Sequence, residues 1–284
     1  MKFENKPYRD IVNLLIEFSD YFKFKRLVPH YTTLQKFLRR ISLVILNFIL
    51  EKTYLLFNAE NANVAIDATG FGLLSASYYY EQMVHREIQK RRYMKHSIII
   101  DTDRQVIMAS TCIRNKSNEI NEFKPLIKRA SKLTKIKIIT ADKGYDSEEV
   151  HKFSREKVGA FSIIPIRHPA LLPENTNGRY RRALAFNFPE KLYHQRSKVE
   201  TVNFVQKQKF GNKLRSKLLF MQRKEMKLID IVYNLYKYVN KSVKILKDFY
   251  TTDIDELELG CYFFTGFILF SFWFIFLLST MPLV

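Results

Sequence analysis

Between residues 63 and 166 the hydrophobic pattern switches repeatedly between strand and helix periods, and that switching restricts the fold more than any other feature. Asn63 to Asp67 (NVAID) is a short apolar run ending in a carboxylate. Phe71 to Tyr79, Met94 to Ile100 and Gln105 to Thr111 are β-rich, with DTDR at 101–104 as a hairpin turn. A helix-period segment with Phe123, Leu126, Ile127 and Leu133 leads into a strand at Ile136 to Thr140 and then ADKGYDS. Ser147 is placed to cap another short helix, whose Glu148 and Glu149 suit its positive end, and Phe161 to Ile166 reads as the last strand. Three or four strands able to form a meander, then alternating helix and strand, then helix, describe an α/β layer architecture: a mixed sheet flanked by helices.

The flanks are helical. Ile11, Leu14, Leu15 and Phe18 recur at helical spacing within 8–22, and a second helix starts at Thr32 or Thr33 and runs through LQKFLRRISLVILNFIL. Two helices around a turn, with Lys36, Arg39 and Arg40 on the second, suit docking on DNA and equally suit a plain helical lobe. Residues 168–189, rich in Pro, Asn and Arg and containing RYRR at 179–182, read as a loop. Residues 224–247 carry an apolar stripe through Leu228, Ile231, Val232, Leu235, Val239 and Leu246, which marks a packing helix. The expected division is a helical N-terminal lobe at 1–58, a catalytic α/β domain at 59–250, and a hydrophobic tail at 251–284.

Charge narrows the partners. The 284 residues carry 47 Lys and Arg against 28 Asp and Glu, a net charge of +19. Residues 179–250 alone hold 18 basic and 5 acidic side chains, +13, which favours a polyanion: nucleic acid or an anionic membrane surface. The two cysteines, Cys112 and Cys261, form neither a CxxC nor a Cys/His spacing, so they offer no zinc site and point to a reducing cytosol.

Within that basic chain three acids stand out. Asp67 and Asp142 each end an apolar strand, the edge at which α/β sheets usually place ligand-binding groups. If those strands are neighbours, two carboxylates meet and a cation must share the site or one acid must take up a proton. The third acid lies in YHQRSKVETVNFVQK (193–207), read as one helix. At about 100° per residue, Tyr193, Arg196, Glu200 and Lys207 fall within an arc of about 60°, while Val199, Val202 and Val205 supply a buried flank. Three carboxylates without histidine or thiolate make a hard, all-oxygen site suited to Mg²⁺ or Mn²⁺, and two such ions serve both sides of a phosphodiester displacement. Taken singly, Asp67 and Asp142 also fit turn-capping roles before Gly70 and Gly144.

AIDATGFG (65–72), ADKGYDS (141–147) and YHQRSKVETVNFVQKQKFG (193–211) resemble the three catalytic boxes of DDE-type insertion-element transposases with a ribonuclease H-like fold. The third box is the most specific, since Tyr193, Arg196, Glu200 and Lys207 match that family's Tyr-x2-Arg-x3-Glu-x6-Lys signature. The resemblance covers residues 60 to 245. It implies that Asp67, Asp142 and Glu200 are the metal-binding catalytic triad. It further implies that Arg196 and Lys207 contact DNA near the scissile phosphate and that Tyr193 assists positioning. Lys143, beside Asp142, and Arg181 and Arg182 of the RYRR segment join them as DNA-binding candidates. The implied reaction is cleavage at the element's ends by water, then attack of the freed 3′-hydroxyl on target DNA, performed by a homodimer on double-stranded DNA in the cytoplasm, at the nucleoid. Tyr193 as a covalent nucleophile is the competing assignment, and its companions suit metal chemistry better.

The uncharged run at 259–284 departs from that family's pattern. Its 26 residues are long enough to span a bilayer as a helix, with Lys241, Lys244 and Lys247 on the cytoplasmic side. A reading frame extended past an ancestral stop, in a decayed copy, is the favoured explanation of the two. A nuclease of the same fold that cuts without joining, and a membrane-tethered DNA-binding or interaction protein without chemistry, are the alternative functions.

Overall fold

The computed structural model describes residues 7–17, 28–73, 93–114, 119–167 and 173–249. The described residues divide into two units, one within Arg39–Asn234 and one within Lys6–Leu38 and Leu235–Val284.

The larger unit is built on a six-stranded mixed sheet in the order β3-β2-β1-β4-β5, with β6 added to β1. Its strands are β1 (Asn61–Leu73), β2 (Tyr93–Asp101), β3 (Val106–Arg114), β4 (Lys135–Ala141), β5 (Phe161–Ile163) and β6 (Lys213–Leu214). Strands β1, β2 and β3 form an antiparallel meander, whereas β4 and β5 lie parallel. This is a mixed sheet between helices, as the sequence pattern predicts. The DTDR turn forms as expected: Asp101 O accepts from Gln105 N at 2.8 Å, and Gln105 takes the left-handed φ of +54° that closes it.

One sheet face carries the main apolar core. Helices α3 (Leu43–Leu55) and α4 (Glu119–Ala130) lie against it, burying Tyr54, Phe123, Leu126 and Ile127 over Val64, Ile66, Ile99 and Met108. The other face is covered by α8 (Ser197–Phe210) and by the part of α9 (Leu219–Phe249) up to Asn234, with Val199, Val202, Phe210 and Ile229 buried. Asn234 bridges to β3 by accepting from Ile107 N and donating to Ile107 O, both at 2.8 Å, which satisfies a stretch of strand that has no further strand neighbour among the described residues.

Several elements differ from the sequence expectation. The expected helix from Thr32 onward is two helices, α2 (Tyr31–Arg40) and α3, broken where Ser42 caps α3 by accepting from Ile45 N at 3.2 Å. Helix α3 therefore belongs to the sheet's unit. NVAID and Phe71 onward are one strand, because β2 pairs with β1 continuously from Val64 to Gly72. Ser147 precedes helix α5 (Glu148–Lys152) but its side chain makes no cap; Asp142 instead caps the 3-10 turn Lys143–Tyr145 by accepting from Lys143 N at 2.7 Å. The expected loop at 168–189 contains helix α6 (Arg179–Phe186).

The smaller unit includes α1 (Tyr8–Glu17), which buries none of its residues and packs Arg9 over the Tyr31 ring at 4.8 Å. No helix among the described residues is long and apolar enough to cross a membrane, and the hydrophobic run at 259–284 lies outside them.

Candidate active site

Strand pairing brings the first two acids together. Ile66 on β1 is the register partner of Ala141, the last residue of β4, so Asp67 and Asp142 follow side by side. There β4 ends while β1 continues, held by β2, which opens a notch in the sheet beside Asp67. Asp67 thus sits in mid-strand, not at a strand end as its sequence context suggested.

Helix α8 brings the third acid. The predicted single helix is realised as α7 (Glu190–Tyr193), a 3-10 turn at His194–Arg196 and then α8. All junction residues stay in the right-handed helical region, so the run is continuous but tightened at Arg196. Arg196 Nη1 donates to Glu200 Oε1 at 2.8 Å, and its Nη2 lies 3.7 Å from Asp67 Oδ1. One guanidinium therefore bridges the β1 acid and the α8 acid.

Along α8, Asn203 Nδ2 reaches Asp67 Oδ2 at 3.5 Å and Lys207 Nζ donates to Thr69 Oγ1 at 2.5 Å, lying 5.6 Å from the centre of the Phe71 ring. Four residues of helix and two of strand both advance about 6–7 Å, so α8 runs alongside β1 and reads the Asp67, Thr69, Phe71 face in step. Lys207 is consequently anchored beyond the acids. Tyr193, half-buried and edge-on to Phe188 at 5.2 Å between ring centres, lies within electrostatic reach of all three.

The electrostatics record the convergence. Burial, above all, pushes the Asp67 carboxyl up to about 6; Glu200 and Asp142 push the same way, while the Ala68 amide and Arg196 oppose them. Burial works against the Arg196 charge, yet Asp67, Tyr193, Asp142 and Glu200 hold its pKa above the ordinary value. Burial also raises the Tyr193 phenol, with Arg196 opposing and the acids assisting. The cluster is thus short of positive charge despite its arginine.

Among the described residues no group of three or more His, Cys, Asp and Glu side chains is closed around a metal position. The donor chemistry nevertheless fits a hard cation: only carboxylate oxygens, with an Asp67 whose charge is undercompensated and the buried Oδ1 of Asn203 without a partner among the described residues. Arg196 is the cation those oxygens face here.

The other candidates are spread out. Lys143 is exposed beside Asp142. Arg181 is committed elsewhere, its fork holding both oxygens of buried Asp146 at 2.7 Å, and Arg182 Nε donates to Thr176 O at 3.3 Å. Sequence reading missed Asn203, although its place three residues after Glu200 on the same helix was a signal. It also missed Asp146, whose partners lie 21 and 35 residues away.

The sequence matches the family model described as "Transposase DDE domain" over residues 61–235. No curated protein matches it. Among solved structures it is similar to one described as "Cryo-EM structure of piggyBac transposase synaptic complex with hairpin DNA", at 11% identity and a TM-score of 0.39. The likeness covers 65% of this chain and 48% of that one, so the chain spans about half of that protein's length.

Proposed function

The chain belongs to the transposase DDE domain family, matched over more than half its length, and from that premise we propose that Asp67, Asp142 and Glu200 form the catalytic centre of a DNA transposase. The single observation that carries this reading is the bridge made by Arg196 between Asp67 and Glu200, with Asp142 one residue past the Ile66–Ala141 strand pair and so beside Asp67. The reaction is cleavage of phosphodiesters at transposon ends, followed by attack of the 3′-hydroxyl on target DNA.

Asp67, Asp142 and Glu200 are the residues that would hold two divalent ions, Mg²⁺ or Mn²⁺. Such ions, when bound, activate the attacking oxygen and stabilise the leaving one. The chain's own part is positioning and charge. Asp67 presents its oxygens from a strand whose ladder fixes it, and Asp142 from the capped turn directly after β4. Glu200 comes from a helix held to the same strand. Arg196 and exposed Lys143 bind phosphate oxygens near the break, and half-buried Tyr193 orients the Arg196 side. Lys207, clamped on Thr69, supports α8 and contributes positive potential to the DNA path. Arg182, and the charge of Arg181 behind it, extend that path. The helical N-terminal lobe binds the element's end, and two copies pair two ends at the nucleoid.

The test offers the full chain a duplex carrying the DNA that flanks its own gene, with and without Mg²⁺. Nicks at the ends and joined products with Mg²⁺ are the expected outcome; nicks without joining identify a nuclease. Asp142→Asn and Glu200→Gln should each lower cutting by about 10²–10³-fold, the scale of losing one preorganised electrostatic group, while leaving DNA binding intact. Unchanged cutting in both variants would overturn the assignment.

A further inference from the structure

Beneath α8 lies a second polar cluster, apart from the three acids. Asp230 on α9 is fully buried. Its Oδ1 accepts from Gln206 Nε2 of α8 at 2.9 Å and lies 3.1 Å from His96 Nε2 of β2, while its Oδ2 accepts from Ser110 Oγ of β3. Lys227, one turn earlier on α9, donates to Ser110 O at 2.6 Å and to Ser110 Oγ. Burial works to raise the Asp230 pKa, but His96, Lys227 and Ser110 together hold it below the ordinary value, so the hub is a carboxylate.

Gln206 is the only member of this hub on α8, and its own geometry is uneconomical for stability alone. The amide is buried, one end donates to Asp230, and the buried Oε1 has no partner among the described residues. An apolar side chain of the same size would avoid that orphaned oxygen. What Gln206 supplies is direction. It lies about 120° around α8 from Glu200 and roughly 9 Å along the axis, while neighbouring Lys207 is fastened to Thr69 about 100° from it. Two anchors at adjacent positions, one to β1 and one to the β2, β3 and α9 hub, fix the roll of α8. That roll decides whether Glu200 faces Asp67.

We infer that Asp230 is a positioning residue for the catalytic carboxylates, acting through Gln206 to hold α8 at the rotation that turns Glu200 toward Asp67. The inference rests on the assignment of Glu200 to the site.

The experiment compares the full chain with Gln206→Met, with Asp230→Asn/Gln206→Glu and, as control, with Glu200→Gln. It measures Mn²⁺ binding by calorimetry, Mn²⁺-supported nicking of supercoiled plasmid, and thermal unfolding. Gln206→Met keeps the volume and removes the donor. It should weaken Mn²⁺ binding and lower kcat by about tenfold each, the usual effect of freeing a group that orients a metal-binding carboxylate, with KM for DNA unchanged. The exchange pair restores the hydrogen bond with donor and acceptor reversed, and should recover both quantities. A Gln206→Met chain with altered Tm but unchanged Mn²⁺ binding and kcat would overturn the inference. Should that variant not fold, the exchange pair decides: recovery of nicking supports the inference, and a folded but inactive pair, or one that also fails to fold, overturns it. A Glu200→Gln control that still nicks at the full rate sinks the catalytic assignment itself, a result separable from failure of the Gln206 variant alone.

Discussion

Asp67 shows what the site costs the fold. It lies in the middle of a strand, four-fifths buried, with its pKa raised to about 6 by burial, Glu200 and Asp142. At neutral pH the charged form is held against its environment, so Asp67→Asn should stabilise the metal-free chain by about 1–3 kcal/mol, read by urea unfolding at pH 7.5, while cutting is lost. His151 works at another place and with the opposite sign. It is buried between α5 and β5, its Nδ1 2.7 Å from Ser162 Oγ, and burial, with Arg155 second, pushes its pKa down to about 4. The unfolded chain therefore binds the proton first as pH falls. Stability is full above the unfolded value of 6.5, declines between 6.5 and about 4, and this group takes no more below that. The loss is at most about 3 kcal/mol. Asp67 gains stability over nearly the same interval, so denaturant unfolding across that range should show the slope most clearly in Asp67→Asn, and His151→Gln should flatten it.

At the scale of elements, α6 shows how a segment rich in loop residues becomes helical. Its first-turn amides at Tyr180 and Arg181 each donate to the Glu148 carboxylate at 3.2 Å, an N-terminal cap supplied from α5. Gly178 just before it has φ +98°, and a Cβ there would come within 2.2 Å of Glu148 Oε2, so only glycine lets the carboxylate in. The Arg181 fork then locks α6 onto Asp146, which also accepts from Arg167 N at 2.9 Å and so ties the turn after Asp142 to the segment after β5. Removing Arg181 leaves a buried carboxylate with its main charge partner gone. Arg181→Ala should cost about 3 kcal/mol in urea unfolding, and Arg181→Lys should recover less than half, because an ammonium cannot reproduce the fork.

For the whole molecule, charge is the governing property. A net charge of +19 is mildly unfavourable for a compact chain on its own and becomes an asset once phosphates neutralise it. Binding of duplex DNA should therefore weaken by about 10³-fold between 50 and 200 mM salt, measured by fluorescence anisotropy; a flat response would speak against a nucleic-acid partner. The sheet gives that charge a rigid base, since α3 and α4 lie on one of its faces and α8 and the part of α9 up to Asn234 on the other.

Much of this was legible along the chain. The strand and helix periods, the DTDR hairpin, the Tyr-Arg-Glu-Lys spacing on a helix and the three acid boxes all depend on residues within a few positions of one another. Local periodicity and turn chemistry suffice to determine such features. Tertiary structure alone decided the rest. That β1 runs on through Asp67 depends on pairing with β2, about 30 residues away, and that Asp142 stands beside it depends on pairing with β4, 75 residues away. That the Arg181 fork holds Asp146, 35 residues earlier, was likewise decided by burial of that carboxylate beneath it. Pairing between distant segments is chosen by the burial and hydrogen bonds of the whole sheet, which no short window of sequence contains.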